Sequence, residues 1–151
     1  MKVTECMSRD VNYVSPDQPI HEAARMMLDS DTGALPVGSE ERVEGMITDR
    51  DITVRAVAEQ RSFDTPVRDI MTSDVVAAFE DQDIDDVALM MSDLQVRRLP
   101  VLSRDHKLMG IVSLADLARS NDASTAEAAL SGISEPGGDH NQSSDGATAA
   151  A

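Results

Sequence analysis

Thr48-Asp49-Arg50-Asp51 and Ser113-Leu114-Ala115-Asp116 share one spacing, a hydroxyl residue followed three positions later by an aspartate. Each follows a short apolar run, Met46-Ile47 or Ile111-Val112, so each reads as a strand passing into a helix. That arrangement suits a nucleotide. The hydroxyl and the first backbone N–H groups hold a phosphate at the positive helix end. A carboxylate one turn on accepts two hydrogen bonds from a ribose diol. The same spacing also describes an ordinary capping box, in which the two side chains only start the helix.

The elements that position these residues are written twice. Val3-Thr4-Glu5-Cys6-Met7 returns as Val67-Arg68-Asp69-Ile70-Met71, an offset of 64 (67 − 3). The same offset carries Ile20 to Ile84, Met27 to Met91 and Leu35-Pro36-Val37 to Leu99-Pro100-Val101. After one inserted residue, Gly45 falls on Gly110 and Asp51 on Asp116. A unit of about this length buries too little surface to stand comfortably alone, so a tandem pair sharing one core is expected.

Each copy predicts the same order of elements. A helical turn near Thr4–Met7 leads to a strand near Val11–Val14. Ile20, Ala23, Ala24, Met27 and Leu28 then follow the spacing of an amphipathic helix. Strands are expected near Ala34–Gly38 and Val43–Thr48, and a helix from Asp49 to Ala58. The second copy predicts a strand near Val75–Phe79, a helix through Ile84, Val87, Ala88 and Met91, strands near Arg98–Leu102 and Leu108–Val112, and a helix from Leu114 to Arg119. The expected organisation is a first repeat over 1–60, a linker over 61–66, a second repeat over 67–120 and an acidic Ser/Gly/Ala tail over 121–151. A short helix over 125–130 is expected in that tail, and disorder from Ser131 on.

Bulk properties narrow the function. The 151 residues carry a formal charge of −15, with no Lys or Arg after Arg119. A duplex nucleic acid needs a basic face, and an anionic membrane needs the same, so neither is an expected partner. A lone Cys6 excludes an internal disulfide and fits a reducing cytoplasm. No apolar run reaches the ~20 residues of a membrane span. His21, His106 and His140 lack metal-ligand spacing, and no metal site is expected. The acids from Glu80 to Asp86 lie before and within a first helical turn, where they meet the helix dipole. Cys6 has no base near it in sequence and is expected to be packed.

Taken together, Cys6-Met7 with Ile70-Met71-Thr72, Ala34-Leu35-Pro36-Val37 with Arg97-Arg98-Leu99-Pro100-Val101, and Gly45–Asp51 with Gly110–Asp116 resemble the CBS domain in tandem. The likeness covers roughly Met1 to Ser120 and looks like a stand-alone CBS pair, or Bateman module. It implies an α/β (α+β) fold of two β-α-β-β-α repeats packed with pseudo-two-fold symmetry. It also implies adenosine-containing ligands: AMP, ADP, ATP, S-adenosylmethionine or NAD-type dinucleotides, with magnesium where the nucleotide carries it. Carried over residue by residue, a primary cleft would use Met46, Thr48, Asp51, Val75 and Val76, with Arg97 and Arg98 on phosphate. A second would use Ile111, Ser113, Asp116, Val11 and Asn12. The first copy has Gly33-Ala34 where the second has Arg97-Arg98, which ranks the Thr48/Asp51 cleft as the tighter phosphate site.

The function expected on these grounds is a non-catalytic sensor, dimeric by resemblance, that reports ligand state to an effector protein or through dimer packing. A scaffold with empty clefts is the alternative. A small nucleotide hydrolase would need a positioned base, nucleophile or metal clamp, and no convincing set is present.

Overall fold

The computed structural model describes residues 1–120 and 123–136. In chain order the elements are a 3₁₀ turn at Val3–Glu5, α1 (Ile20–Ser30), β1 (Ala34–Gly38), β2 (Val43–Thr48), α2 (Asp49–Asp51) continuing as a π-helix over Ile52–Val57, a 3₁₀ turn at Val67–Asp69, β3 (Ala78–Phe79), α3 (Ile84–Leu94), β4 (Arg98–Leu102), β5 (Leu108–Ser113), α4 (Leu114–Arg119) and α5 (Ala123–Ile133). Strands β1 and β2 pair antiparallel, and β3, β4 and β5 form a three-stranded sheet in that order, with β3 parallel to β4. Mixed helices and strands in two small sheets are what the repeat predicts.

The chain divides into two compact units, and the division does not follow the repeats. One unit holds Met1–Arg9, Ala77–Arg104 and the described residues from Met109 on; the other holds Asp10–Val76 with Asp105–Leu108. The opening segment of each copy is thus built into the body of the other. In the first unit Val3 and Met7 join Ile84, Val87, Met91, Leu99, Val101 and Val112 in the core. In the second, Val67 and Ile70 join Ile20, Ala23, Met27, Leu35, Val37 and Ile47. The expected single shared core is instead two cores, one in each unit, built on equivalent positions along the amphipathic spacing.

Backbone hydrogen bonds repeat the exchange. In the second unit Ile20 N donates to Thr65 O (2.9 Å) and Val67 N to Gln18 O (2.8 Å); in the first, Ile84 N donates to Met1 O (3.0 Å) and Val3 N to Gln82 O (2.9 Å). These bonds satisfy N–H groups that a helix start leaves open. Met46 and Thr72 exchange a pair of bonds, both 2.9 Å, and Ile111 and Ser8 exchange another at 2.9 and 2.8 Å. A glycine permits each of these contacts. A Cβ on Gly45 would lie 2.6 Å from Thr72 O, and one on Gly110 would lie 2.4 Å from Ser8 O.

Four local expectations change. Val11–Val14 is not a strand: Val14 alone bridges to Val37, because Pro16 has no N–H with which to extend the pairing. The strand near Val75 shortens to Ala78–Phe79, since Val75 N is taken by Ser73 O (3.0 Å) in a local turn. The helix from Asp49 leaves α geometry after three residues. Ala58 N reaches Thr53 O and Arg61 N reaches Ala56 O, both 2.9 Å, the i→i+5 pattern of a π-turn. The β-branched Ile52, Thr53, Val54 and Val57 crowd a tighter turn there. Finally, α5 runs on past residue 130 to Ile133, whose side chain is buried in the first unit with Ala126 and Ala129. The disorder expected for the tail's last fifteen residues, 137–151, lies outside the described residues.

Candidate functional site

Both hydroxyl–aspartate pairs sit where a strand becomes a helix, and their geometry is the same. Thr48 is the N-cap of α2 at φ −119°, ψ 162°; Ser113 is the N-cap of α4 at φ −117°, ψ 162°. Asp51 N donates to Thr48 Oγ1 (3.1 Å), and Thr48 N donates to Asp51 Oδ2 (2.9 Å). Asp116 N donates to Ser113 Oγ (3.1 Å), and Ser113 N to Asp116 Oδ2 (2.8 Å). Each pair is therefore a complete capping box. The boxes do not exhaust the acceptors. Each carboxylate oxygen carries two lone pairs, and both aspartate side chains keep 13% of their surface open to solvent.

The remaining oxygen of each aspartate faces an arginine that sequence reading did not single out. Arg55 Nε stands 3.7 Å from Asp51 Oδ1, and its Nη1 donates to the carbonyls of Ile70 and Met71, both 3.3 Å away. Arg119 Nη2 donates to Asp116 Oδ1 at 2.6 Å. The signal available in sequence was the i+4 or i+3 spacing of acid and base along a helix.

The other expected site residues distribute between the units. Met46, Thr48, Asp51, Val75 and Val76 belong to the second unit, where Val76 is 45% exposed. Arg97 and Arg98 belong to the first, with Ile111, Ser113 and Asp116. Arg97 O accepts from Leu114 N (2.8 Å), which ties its backbone to the Ser113 cap; the equivalent bond in the other copy runs from Asp49 N to Gly33 O (2.9 Å). Among the described residues no ion pair engages either guanidinium. Val11 and Asn12 lie in the second unit, where Asn12 Nδ2 donates to Ser30 Oγ (2.7 Å).

A cavity of about 250 Å³ in the first unit is lined by Met1, Glu5, Cys6, Asp116, Arg119 and Ser120. Burial, and behind it the carboxylates of Asp116 and Glu5, pushes the Cys6 thiol up from its ordinary value. That makes Cys6 a poor nucleophile, as expected of a packed residue. Among the described residues no three His, Cys, Asp or Glu side chains group as a metal site. No helix among them is long and apolar enough to cross a membrane.

Comparisons with known proteins bear on the family and the fold. The model of the CBS domain matches twice, over residues 3–57 and 67–122. A CBS domain-containing protein of Bacillus subtilis, YhcV, is 39% identical over 135 residues, spanning 87% of this chain and 94% of its own. The solved structure of a signal-transduction protein with CBS domains from Burkholderia ambifaria, 29% identical, superposes with a TM-score of 0.74 over 82% of this chain and 95% of that one. The CBS domain pair of protein MJ0100, in complex with 5′-methylthioadenosine and S-adenosyl-L-methionine, is also 29% identical, with a TM-score of 0.71 over 79% of this chain and 94% of that one.

Proposed function

The chain belongs to the CBS domain family, and from that membership we propose that it is a non-catalytic regulatory module binding an adenosine-containing ligand. The observation that carries this reading is the twofold building of one hydroxyl–aspartate cap with acceptor capacity to spare. A ribose diol is the complementary donor. The likeness to a CBS pair holding 5′-methylthioadenosine and S-adenosylmethionine supports that ligand class.

In the primary site Thr48 and Asp51 would hold phosphate and ribose, while Met46, Val75 and Val76 offer apolar surface to the base. Arg97 and Arg98 have no ion-pair partner among the described residues, and a phosphate role for them is what the family resemblance implies. Two guanidiniums at hydrogen-bond distance from a phosphate would outweigh the acidic field, which salt screens beyond ~8 Å. Ile111, Ser113 and Asp116 would form the weaker site in the first unit. The ligand-dependent change would reach an effector protein or a second copy of the chain, in a reducing cytoplasm that suits the lone Cys6.

The test is direct. Small molecules released from freshly purified, denatured protein are identified by mass spectrometry. Melting is then followed with AMP, ATP, S-adenosylmethionine and 5′-methylthioadenosine. A true ligand at 100 Kd stabilises by about 2.7 kcal/mol. Arg98→Ala is expected to weaken AMP or ATP binding at least tenfold and to spare 5′-methylthioadenosine, which has no phosphate. If no compound in the panel moves the melting temperature and none is released, the caps are only caps and the protein is a scaffold.

A further inference from the structure

The two capping aspartates are alike, but their arginines are not. Arg55 belongs to the π-helix and makes three contacts at once: Asp51 Oδ1 at 3.7 Å, and the carbonyls of Ile70 and Met71 at 3.3 Å each. Those carbonyls sit immediately before Thr72, whose backbone pairs with Met46 in both directions at 2.9 Å. Arg119 is 72% exposed, and among the described residues its guanidinium bonds Asp116 alone. The equivalent backbone pair in the first unit, Ser8 with Ile111, has no arginine bonded to the carbonyls before it: the described bonds of Arg9 and Arg119 end at Thr4 O and Asp116.

We propose that Arg55 is a positioning residue that joins Asp51 to the Val67–Thr72 segment, so that the Asp51 site signals and the Asp116 site does not. The physical step is competition for one oxygen. Donors of a ligand diol at Asp51 Oδ1 weaken its hold on Arg55. The guanidinium then redistributes toward Ile70 O and Met71 O, where a charged donor makes a stronger bond than a neutral one. The segment that moves carries Val67 and Ile70, both in the second unit's core, so the change is transmitted by packed side chains as well as by the backbone pair. The sequence itself sets the difference in spacing, four residues from Asp51 to Arg55 and three from Asp116 to Arg119. The inference rests on the adenosine-ligand reading above and adds the route by which occupancy is reported.

Amide hydrogen exchange on the full chain tests it, in wild type, Arg55→Gln, Arg55→Lys and Arg119→Gln, each with and without AMP. Without AMP, Arg55→Gln is expected to speed exchange at Met46 and Thr72 at least tenfold, with Leu35 and Ile47 in the same unit's core within twofold of wild type. Arg55→Lys is expected to fall between, and Arg119→Gln to leave Ser8 and Ile111 within twofold. With saturating AMP, protection at Thr72, which lies outside the proposed ligand contacts, is expected to rise at least threefold in wild type and to stay fixed in Arg55→Gln. Unchanged exchange at Met46 and Thr72 in Arg55→Gln overturns the proposal. So does equal loosening of Ser8 and Ile111 by Arg119→Gln, uniform loosening of the whole second unit, or an AMP response that survives in Arg55→Gln. If AMP fails to bind wild type while the apo result stands, the choice of ligand fails and the structural link does not.

Discussion

The two units share one cap and differ around it. At Thr48–Asp51 and Ser113–Asp116 they match in N-cap torsion angles, hydrogen-bond lengths and aspartate exposure. Beyond them the second unit enters a π-helix. The first continues as α4 and then adds α5, which has no counterpart in the other copy. The difference shows most clearly at Ser92 and its equivalent Leu28. A Cβ on Gly132 of α5 would stand 1.7 Å from Ser92 Oγ, so α5 lies directly on that face of α3. Leu28, at the matching place on α1, is 70% exposed. Ala88 and Ala24 repeat the contrast, one buried and one exposed. Duplicated halves have thus kept one cap and acquired different surroundings.

The strongest way to break the comparison is at the shared glycines. Gly45→Ala and Gly110→Ala each force a methyl against a backbone carbonyl and are expected to cost roughly 3 kcal/mol in urea unfolding. A much smaller cost at either position would mean that the exchanged segment is not held as tightly in that unit. Next comes Gly132→Val, which should lift α5 from α3 at a cost of roughly 2 kcal/mol. Exchange at α3 amides is expected to rise while α1 amides stay unchanged. Side-chain ties, among them Gln95 Nε2 to Gly132 O (3.3 Å) and Glu135 O (2.7 Å) and Thr125 Oγ1 to Asp85 Oδ1 (2.7 Å), limit how far it frays.

Thr48→Ala and Ser113→Ala sharpen the comparison, because equal geometry predicts equal loss. Each should destabilise by about 1 kcal/mol, and the two melting shifts should agree closely. A pH series is subtler. The folded thiol of Cys6 titrates above its ordinary 9.0, so its contribution is complete below that value and is lost as pH rises through the folded one. Wild type is expected to lose stability faster than Cys6→Ser above about pH 9, read as urea midpoints. The smallest effect is acidic. A hydrogen bond from Arg104 holds the Asp81 carboxyl below its usual range, so that contribution is present above the ordinary value and fades as pH falls through the folded one. Asp81→Asn should slightly flatten the acid limb of the melting curve.

The caps and the helix faces were legible because hydrophobic spacing and cap chemistry are local and were written twice. Which body each opening segment joins was not. Val3 and Val67, or Met7 and Met71, are equivalent residues that fit equivalent pockets, so composition alone does not distinguish a segment packed on its own repeat from one packed on the other. The π-helix was hidden for another reason, since its bonds skip one residue more than the period sought. In the site, both aspartates were visible and both arginines were overlooked. An exposed arginine near an acid is ordinary, and only the carbonyls of Ile70 and Met71 make Arg55 unusual. The end of α5 was missed because the stretch from Ser131 on, with Gly137-Gly138 and its Ser/Ala-rich end, reads as disorder, whereas Gly132 is the residue that lets the helix approach Ser92.

The traded opening segments also decide how this molecule responds to a nick. A protease cutting after Arg61 would leave fragments of 61 and 90 residues, and each compact body would still contain chain from both. Neither fragment could leave without unthreading part of two folded bodies. The cleaved protein should therefore travel as one species on a sizing column and come apart only in denaturant, much as a laced joint survives the loss of its bolt.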